Sequence, residues 1–215
     1  MQEEKQKKMP ELNMGKKNKT KLENKALLLV GVGGQGTILA SKVLSEGLVK
    51  QGYDVKMSEI HGMAQRGGSV TTQIKFGKKI YAPIVGAGEA DVIVAFEKLE
   101  AARYLFQLKK MGTLIVNDHE IYPLPVLLGQ QQYPDNVLSV LEKQVGKRIG
   151  QLKVLQANTI AVELGNVKAQ NIVLLGTVIK ALGLEDLDWA EVLKEFLPLK
   201  LHELNIKALE AGLRL

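Results

Sequence analysis

The chain has 215 residues, enough for one domain with a substantial core. Apolar residues make up 46% and charged residues 24%, the balance of a globular protein, and at 5% aromatic the core must be aliphatic, which favours α/β over an aromatic-rich β-sandwich. There is no cysteine, which excludes disulfides and any thiolate ligand to zinc or an iron–sulfur cluster from this chain. No apolar run approaches the roughly 20 residues of a membrane span and no signal peptide is visible, so the expected location is the cytoplasm.

The net charge of +6 is concentrated at the start. Residues 1–25 hold eight lysines against four glutamates and show no apolar periodicity. Such a composition cannot bury enough surface to offset ordering, so residues 1–24 read as a disordered basic leader and residues 25–215 as a single domain. The leader contains glutamates and lacks arginine and serine, which does not fit a mitochondrial presequence. The remainder carries a net charge of only about +2 and no aromatic interleaving, so neither a nucleic-acid partner nor a membrane partner is expected.

In chain order, "ALLLVGV" (residues 26–32) is a continuous apolar run ending in glycine, as a strand buried on both faces reads. Ile38, Leu39, Val43, Leu44 and Leu48 then recur at helical spacing. "DVKMSEI" (residues 54–60) is a second strand, and the unit predicts a βαβ crossover between neighbouring parallel strands. "SVTTQIKFG" (residues 69–77) alternates with period two and is expected to turn at "GKK" into a hairpin with "IYAPIV". "ADVIVAF" (residues 90–96) is a buried strand, residues 97–110 an amphipathic helix with Leu99, Ala102, Leu105 and Leu108 on one face, and "GTLIVND" (residues 112–118) the next strand.

Residues 119–160 show short segments broken by Pro123, Pro125, "GQQQYP" and "GKRIG", with a helix expected near residues 135–145. Residues 159–164 begin helically. "NVKAQNIVLLGTVIKALG" (residues 166–183) is a largely buried helix closed by Gly183, and "LDWAEVLKEF" and "HELNIKALEAGL" form a helical tail. The expected fold is α/β: a Rossmann-like doubly wound, mostly parallel sheet with an edge hairpin and a helical C-terminal tail.

The first motif is "GVGGQG", with Gly31, Gly33, Gly34, Gln35 and Gly36 between the first strand and first helix. There glycines let the backbone approach a phosphate, and the helix N-terminus presents N–H groups to it. The usual acidic partner for a ribose has a candidate in Glu59. Glycines also suit any tight strand-to-helix turn. A stand-alone NAD-dependent dehydrogenase and a nucleotide-binding regulatory module therefore stay open, although the Tyr-x-x-x-Lys pair of short-chain dehydrogenases is missing.

The second motif is "HGMAQRGGSV" (residues 61–70), which places His61, Met63, Gln65, Arg66, Gly67, Gly68 and Ser69 together. Gly67 and Gly68 permit positive φ and close backbone approach. Arg66 offers a planar fork of donors suited to a carboxylate or phosphate. A surface loop with an exposed arginine is the plainer alternative.

With both glycine motifs quoted, the chain resembles a family. "LLLVGVGGQGTILASKVL" followed by "SEIHGMAQRGGSV", and later "ADVIVAFEKLEAARYL", "NIVLLGTVIKALGL" and "ELNIKALEAGL", is similar to the gamma-type subunit of the 2-oxoacid:ferredoxin oxidoreductases, in their indolepyruvate branch. The resemblance covers roughly residues 27–212. It implies a small, Rossmann-like subunit that binds no cofactor alone and pairs with a large alpha subunit in a heterotetramer. The partner would hold thiamine diphosphate, magnesium and iron–sulfur clusters, pass electrons to ferredoxin, and deliver an acyl group from an aryl pyruvate to coenzyme A as co-substrate. The absence of cysteine and of a "GDG" thiamine motif agrees with that division. No catalytic residue and no metal ligand are expected in this chain. Gly31, Gly33, Gly34, Gln35, Gly36 and Arg66 are the expected phosphate or partner contacts. His61, Met63, Gln65, Arg66, Gly67, Gly68 and Ser69 form the expected partner-facing loop.

Overall fold

A computed structural model of the chain describes residues 23–62 and 67–215. Six strands form one mixed sheet: β1 (Lys25–Val32), β2 (Asp54–His61), β3 (Ser69–Gly77), β4 (Ala90–Ala95), β5 (Leu108–Asn117) and β6 (Ile149–Leu155), in the order β2-β3-β1-β4-β5-β6. β1, β4, β5 and β6 are successively parallel, whereas β3 lies antiparallel to both β1 and β2.

This corrects two expectations. β1 and β2 are not neighbours, because β3 inserts between them. The hairpin partner of β3 is β2, and residues 78–89 form no strand. The hairpin still lies at the edge of a mostly parallel sheet, but its connection is the second glycine motif itself. Insertion of β3 satisfies backbone groups on both of its sides, which a terminal hairpin with residues 80–85 would not do.

Helices cover both faces, which is why β1 reads as unbroken apolar sequence. Leu27 and Leu29 pack with α1 (Thr37–Lys50), α6 (Gln170–Leu182), α7 (Trp189–Lys194) and α8 (His202–Arg214). Ala26, Leu28 and Val30 face the other way, onto α2 (Lys98–Tyr104) and α4 (Val137–Glu142). Two further helices, α3 (Leu124–Leu127) and α5 (Ala157–Glu163), complete the set among the described residues. α6 ends at Gly183 with φ +67, the left-handed cap that its sequence suggested.

α2 stops at Tyr104, short of the expected residue 110. A 3-10 turn (Leu105–Gln107) follows, and β5 starts at Leu108. Leu105 and Leu108 share helical spacing, but Leu108 is buried as a strand residue. β6 was not anticipated.

The crossover from β1 leaves toward β2 on the α1 face, and that from β4 leaves toward β5 on the α2 face. The strand order therefore reverses between β1 and β4. In open α/β sheets the crevice at the carboxyl ends of such a pair is where ligands bind.

Candidate functional site: two paired glycine turns

The first turn fills the carboxyl end of β1. Gln35 is 5% exposed and spends its whole amide inside the turn: Oε1 accepts from the Val32 N–H at 2.7 Å, and Nε2 donates to the Phe96 carbonyl at 2.8 Å, bridging β1 to β4. Gly31 is glycine for space, since a Cβ there would lie 2.8 Å from Gln35 Oε1 and 2.9 Å from Phe96 Cβ. Gly36 abuts Asn171, whose Nδ2 donates to the Gly36 carbonyl at 3.1 Å. Gly34 differs: at φ +98 it has nothing within 4 Å of where a Cβ would be, so it is the open corner of the turn.

The second turn connects β2 to β3. Its feet are closed by the Gly62 N–H donating to the Ser69 carbonyl at 3.0 Å. One residue earlier, the Gly68 carbonyl accepts from the Gly33 N–H at 2.9 Å. The two glycine motifs are thus joined by a backbone hydrogen bond. Gly67, at φ +78, also faces open space. His61 ends β2 half exposed, with Nε2 3.7 Å from Glu59 Oε2. Met63, Gln65 and Arg66 lie outside the described residues.

Behind this turn sit two carboxyls, Glu97 and Glu100, from the start of the amphipathic helix. Ser69 Oγ donates to Glu100 Oε2 at 2.5 Å and lies 3.2 Å from the Tyr104 hydroxyl. Glu100 is 3% exposed; burial pushes its carboxyl above the ordinary range, opposed by the Ser69 bond and Arg103 and reinforced by Glu97. Glu97 caps α2 by accepting from the Glu100 N–H at 3.0 Å, and it also accepts from the Tyr133 hydroxyl. Burial first, then Glu97, raises the Tyr133 phenol above its ordinary value. Asn117, fully buried at the end of β5, donates to the Phe96 carbonyl and to Asn158 Oδ1 and accepts from the Ala157 N–H. The signal for Glu97 and Asn117 lies in the sequence: each is the first polar residue ending an apolar strand run, at the carboxyl edge of the sheet.

A cleft of about 430 Å³ opens beside the first turn, lined by Gly34, Gly36, Lys168, Gln170, Asn171 and Asn205 among others. Glu59 is not where a ribose-binding carboxylate belongs, because β3 separates its strand from β1. In a dinucleotide fold that acid ends the strand next to the glycine turn. Among the described residues no three His, Asp or Glu side chains are grouped to hold a metal ion, and no helix is long and apolar enough to cross a membrane.

The fold and site define an α/β domain with a mixed six-stranded sheet, whose glycine turn is braced against a neighbouring hairpin. The family described as pyruvate ferredoxin/flavodoxin oxidoreductase matches residues 26–215, and the chain belongs to that family. It is 36% identical over 192 residues to the indolepyruvate oxidoreductase subunit IorB of Thermococcus kodakarensis, covering 87% of this chain and 94% of that one. The fold is shared with the gamma subunit of a keto/oxoacid ferredoxin oxidoreductase of Geobacter sulfurreducens, at 21% identity and a TM-score of 0.64 over 88% of this chain and 96% of that one. It is shared also with part of a 2-oxoglutarate:ferredoxin oxidoreductase of Magnetococcus marinus, solved with 2-oxoglutarate, coenzyme A and succinyl-CoA bound, at 17% identity and a TM-score of 0.69 over 89% of this chain and 30% of that one.

Proposed function

We propose that the chain is the small, cofactor-free subunit of a cytoplasmic 2-oxoacid:ferredoxin oxidoreductase acting on indolepyruvate and related aryl pyruvates. The observation that carries this reading is the match to an indolepyruvate oxidoreductase subunit along nearly all of that subunit's length, in a chain without one cysteine. Cluster and thiamine chemistry then falls to a large partner subunit, with magnesium holding the thiamine diphosphate there, two subunits of each kind in the assembly, and ferredoxin taking the electrons.

The paired turns are this chain's working face in the reading. The residues around Gly34 and Gly36, together with Arg66, meet the phosphates of coenzyme A or carboxylates of the partner. His61, Met63, Gln65, Gly67, Gly68 and Ser69 belong to the same face. Gln35 and Gly31 serve it indirectly by shaping the turn. A stand-alone dehydrogenase fits less well, because the ribose carboxylate is displaced by one strand.

The test is recovery of the tagged chain from its native cell. A large subunit carrying iron and thiamine should accompany it, and the chain purified alone should be colourless and inactive. Iron–sulfur absorbance in the isolated chain, or tight nicotinamide cofactor binding, overturns the reading. Arg66→Lys in the assembled enzyme, keeping charge but removing the bidentate fork, should weaken acyl transfer or subunit association.

A further inference from the structure

The root of the second turn is unusually determined. Within two consecutive residues, the Gly68 carbonyl accepts from Gly33, the Ser69 carbonyl accepts from Gly62, and the Ser69 hydroxyl donates to Glu100. In register, Ser69 also stands opposite Val32, the last residue before the first turn. Both feet of the hairpin loop and the start of the glycine turn therefore converge on residues 68 and 69.

The element holding this point from below is a carboxyl in an apolar layer. Glu100 is beside Ala101, which is fully buried against β1 and β4. Burying an ionisable carboxyl costs several kcal/mol unless it is well paired. For packing alone, an apolar side chain of similar volume would suit this site better. What the carboxyl provides is an acceptor, Oε2, aimed at Ser69, while its other oxygen lies 3.4 Å from half-exposed Arg103.

We propose that Glu100 is a positioning residue for the paired turns: through Ser69 it fixes the Gly68 carbonyl on the Gly33 N–H, and so sets the spacing of the chain's working face. The proposal rests on the reading of that face given above. Glu100 touches no ligand in this role. Its effect passes through one hydroxyl and one peptide unit.

The test uses the enzyme assembled with its large subunit, in five forms: wild type, Ser69→Ala, Glu100→Ala, the double variant, and Glu100→Gln. Loss of the hydrogen bond should raise the KM for coenzyme A, or the Kd for the large subunit, by about three- to tenfold, with kcat little changed. Ser69→Ala is small and removes no packing, so it keeps the test valid if Glu100→Ala does not fold. The double variant should be no worse than the worse single one, because both remove the same bond. Glu100→Gln, whose Oε1 still accepts from Ser69, should restore most of the affinity. In the full chain, deuterium exchange at the Gly33 amide should quicken in Ser69→Ala. Unchanged KM and Kd in Ser69→Ala, additive effects, or failure of glutamine to rescue each overturn the proposal. His61→Glu separates the two levels by placing a carboxylate at the half-exposed end of β2, at a position with ordinary strand backbone. If it shifts KM or Kd and Ser69→Ala does not, the positioning role alone falls. If neither shifts them, the working-face reading falls as well.

Discussion

Gly176 of α6 and Gly212 of α8 face one another at backbone contact. A Cβ on Gly212 would lie 3.0 Å from the Gly176 Cα, and one on Gly176 would lie 2.9 Å from the Gly212 Cα. Each would also run into a carbonyl of the opposite helix, at Val173 and Leu209. The last helix is therefore seated in the core, where Ala208 and Leu209 are buried with the α1-face residues. Thr177 Oγ1 reaches the Gly212 carbonyl at 3.4 Å across the same contact.

Gly212→Ala should therefore destabilise the chain despite its better helix propensity. Overpacking against backbone costs about 1–3 kcal/mol, which exceeds the roughly 1 kcal/mol that alanine gains over glycine in a helix. Urea denaturation of the isolated chain reads this directly. A midpoint equal to or above wild type would mean that α8 can move away without loss.

Asn117 is expected to be far less replaceable than its place at a strand end suggests. Its side chain joins β4, through the Phe96 carbonyl, to the start of α5 at Ala157. Asn117→Leu leaves the Ala157 N–H and the Phe96 carbonyl without that partner. The Ala157 N–H becomes a buried orphan while the Phe96 carbonyl keeps another donor, so a loss of about 1–3 kcal/mol is expected. The Phe96 carbonyl also accepts from Gln35, so the damage should reach the first turn. Faster hydrogen exchange at residues 31–36 would show it, and a change confined to α5 would refute the link.

How much of this was legible in the sequence depended on range. β1 and α6 are legible because each carries a long apolar run, residues 26–32 in the doubly buried strand and residues 172–176 in the core helix. Both glycine turns were visible as motifs. Their union was not, since Gly33 and Gly68 are 35 residues apart and meet only because β3 inserts beside β1. Local periodicity carries no information about that insertion. β6 is hidden because its sequence alternates weakly and carries Gly150 as its second residue, which is packed against the Met111 backbone rather than loosely placed. Glu100 reads as a helix-surface charge; only tertiary packing shows that it is buried.

Glu100 should leave a signature in the pH dependence of stability. Its folded-state pKa is raised above the ordinary 4.5, chiefly by burial. The neutral carboxyl is thus favoured by folding, and stability present below pH 4.5 is lost as pH rises through the folded value. Glu100→Gln removes that loss while keeping the acceptor for Ser69. Relative to wild type the variant should gain stability as pH rises above about 4.5, with the difference smallest in acid. Parallel denaturation curves across that range would contradict it. The exposed contact with Arg103 contributes little to the comparison.

The first contacts among the described residues tie the chain into the sheet from Asn24 onward. Asn24 Oδ1 accepts from the Lys78 N–H at 3.2 Å, and a Cβ on Gly77 would lie 2.7 Å from the Asn24 Cα. The Ala26 N–H donates to Asp91 Oδ2 at 2.9 Å, and Asp91 Oδ1 pairs with Lys109 at 3.0 Å, tying β1 to β4 and β5. Before this point the lysine-rich composition offers little apolar surface to bury. A chain beginning at Glu23 should therefore unfold cooperatively, with its melting temperature within about 2 °C of the full chain, the scale of an exposed change of under 0.5 kcal/mol. A chain beginning at Leu27 loses the Asn24 contact, the Asp91 hydrogen bond and buried Ala26, and should melt well below it. If the first deletion is as damaging as the second, residues 1–22 contribute to the fold. If the second is harmless, β1 is anchored only from Leu27 onward.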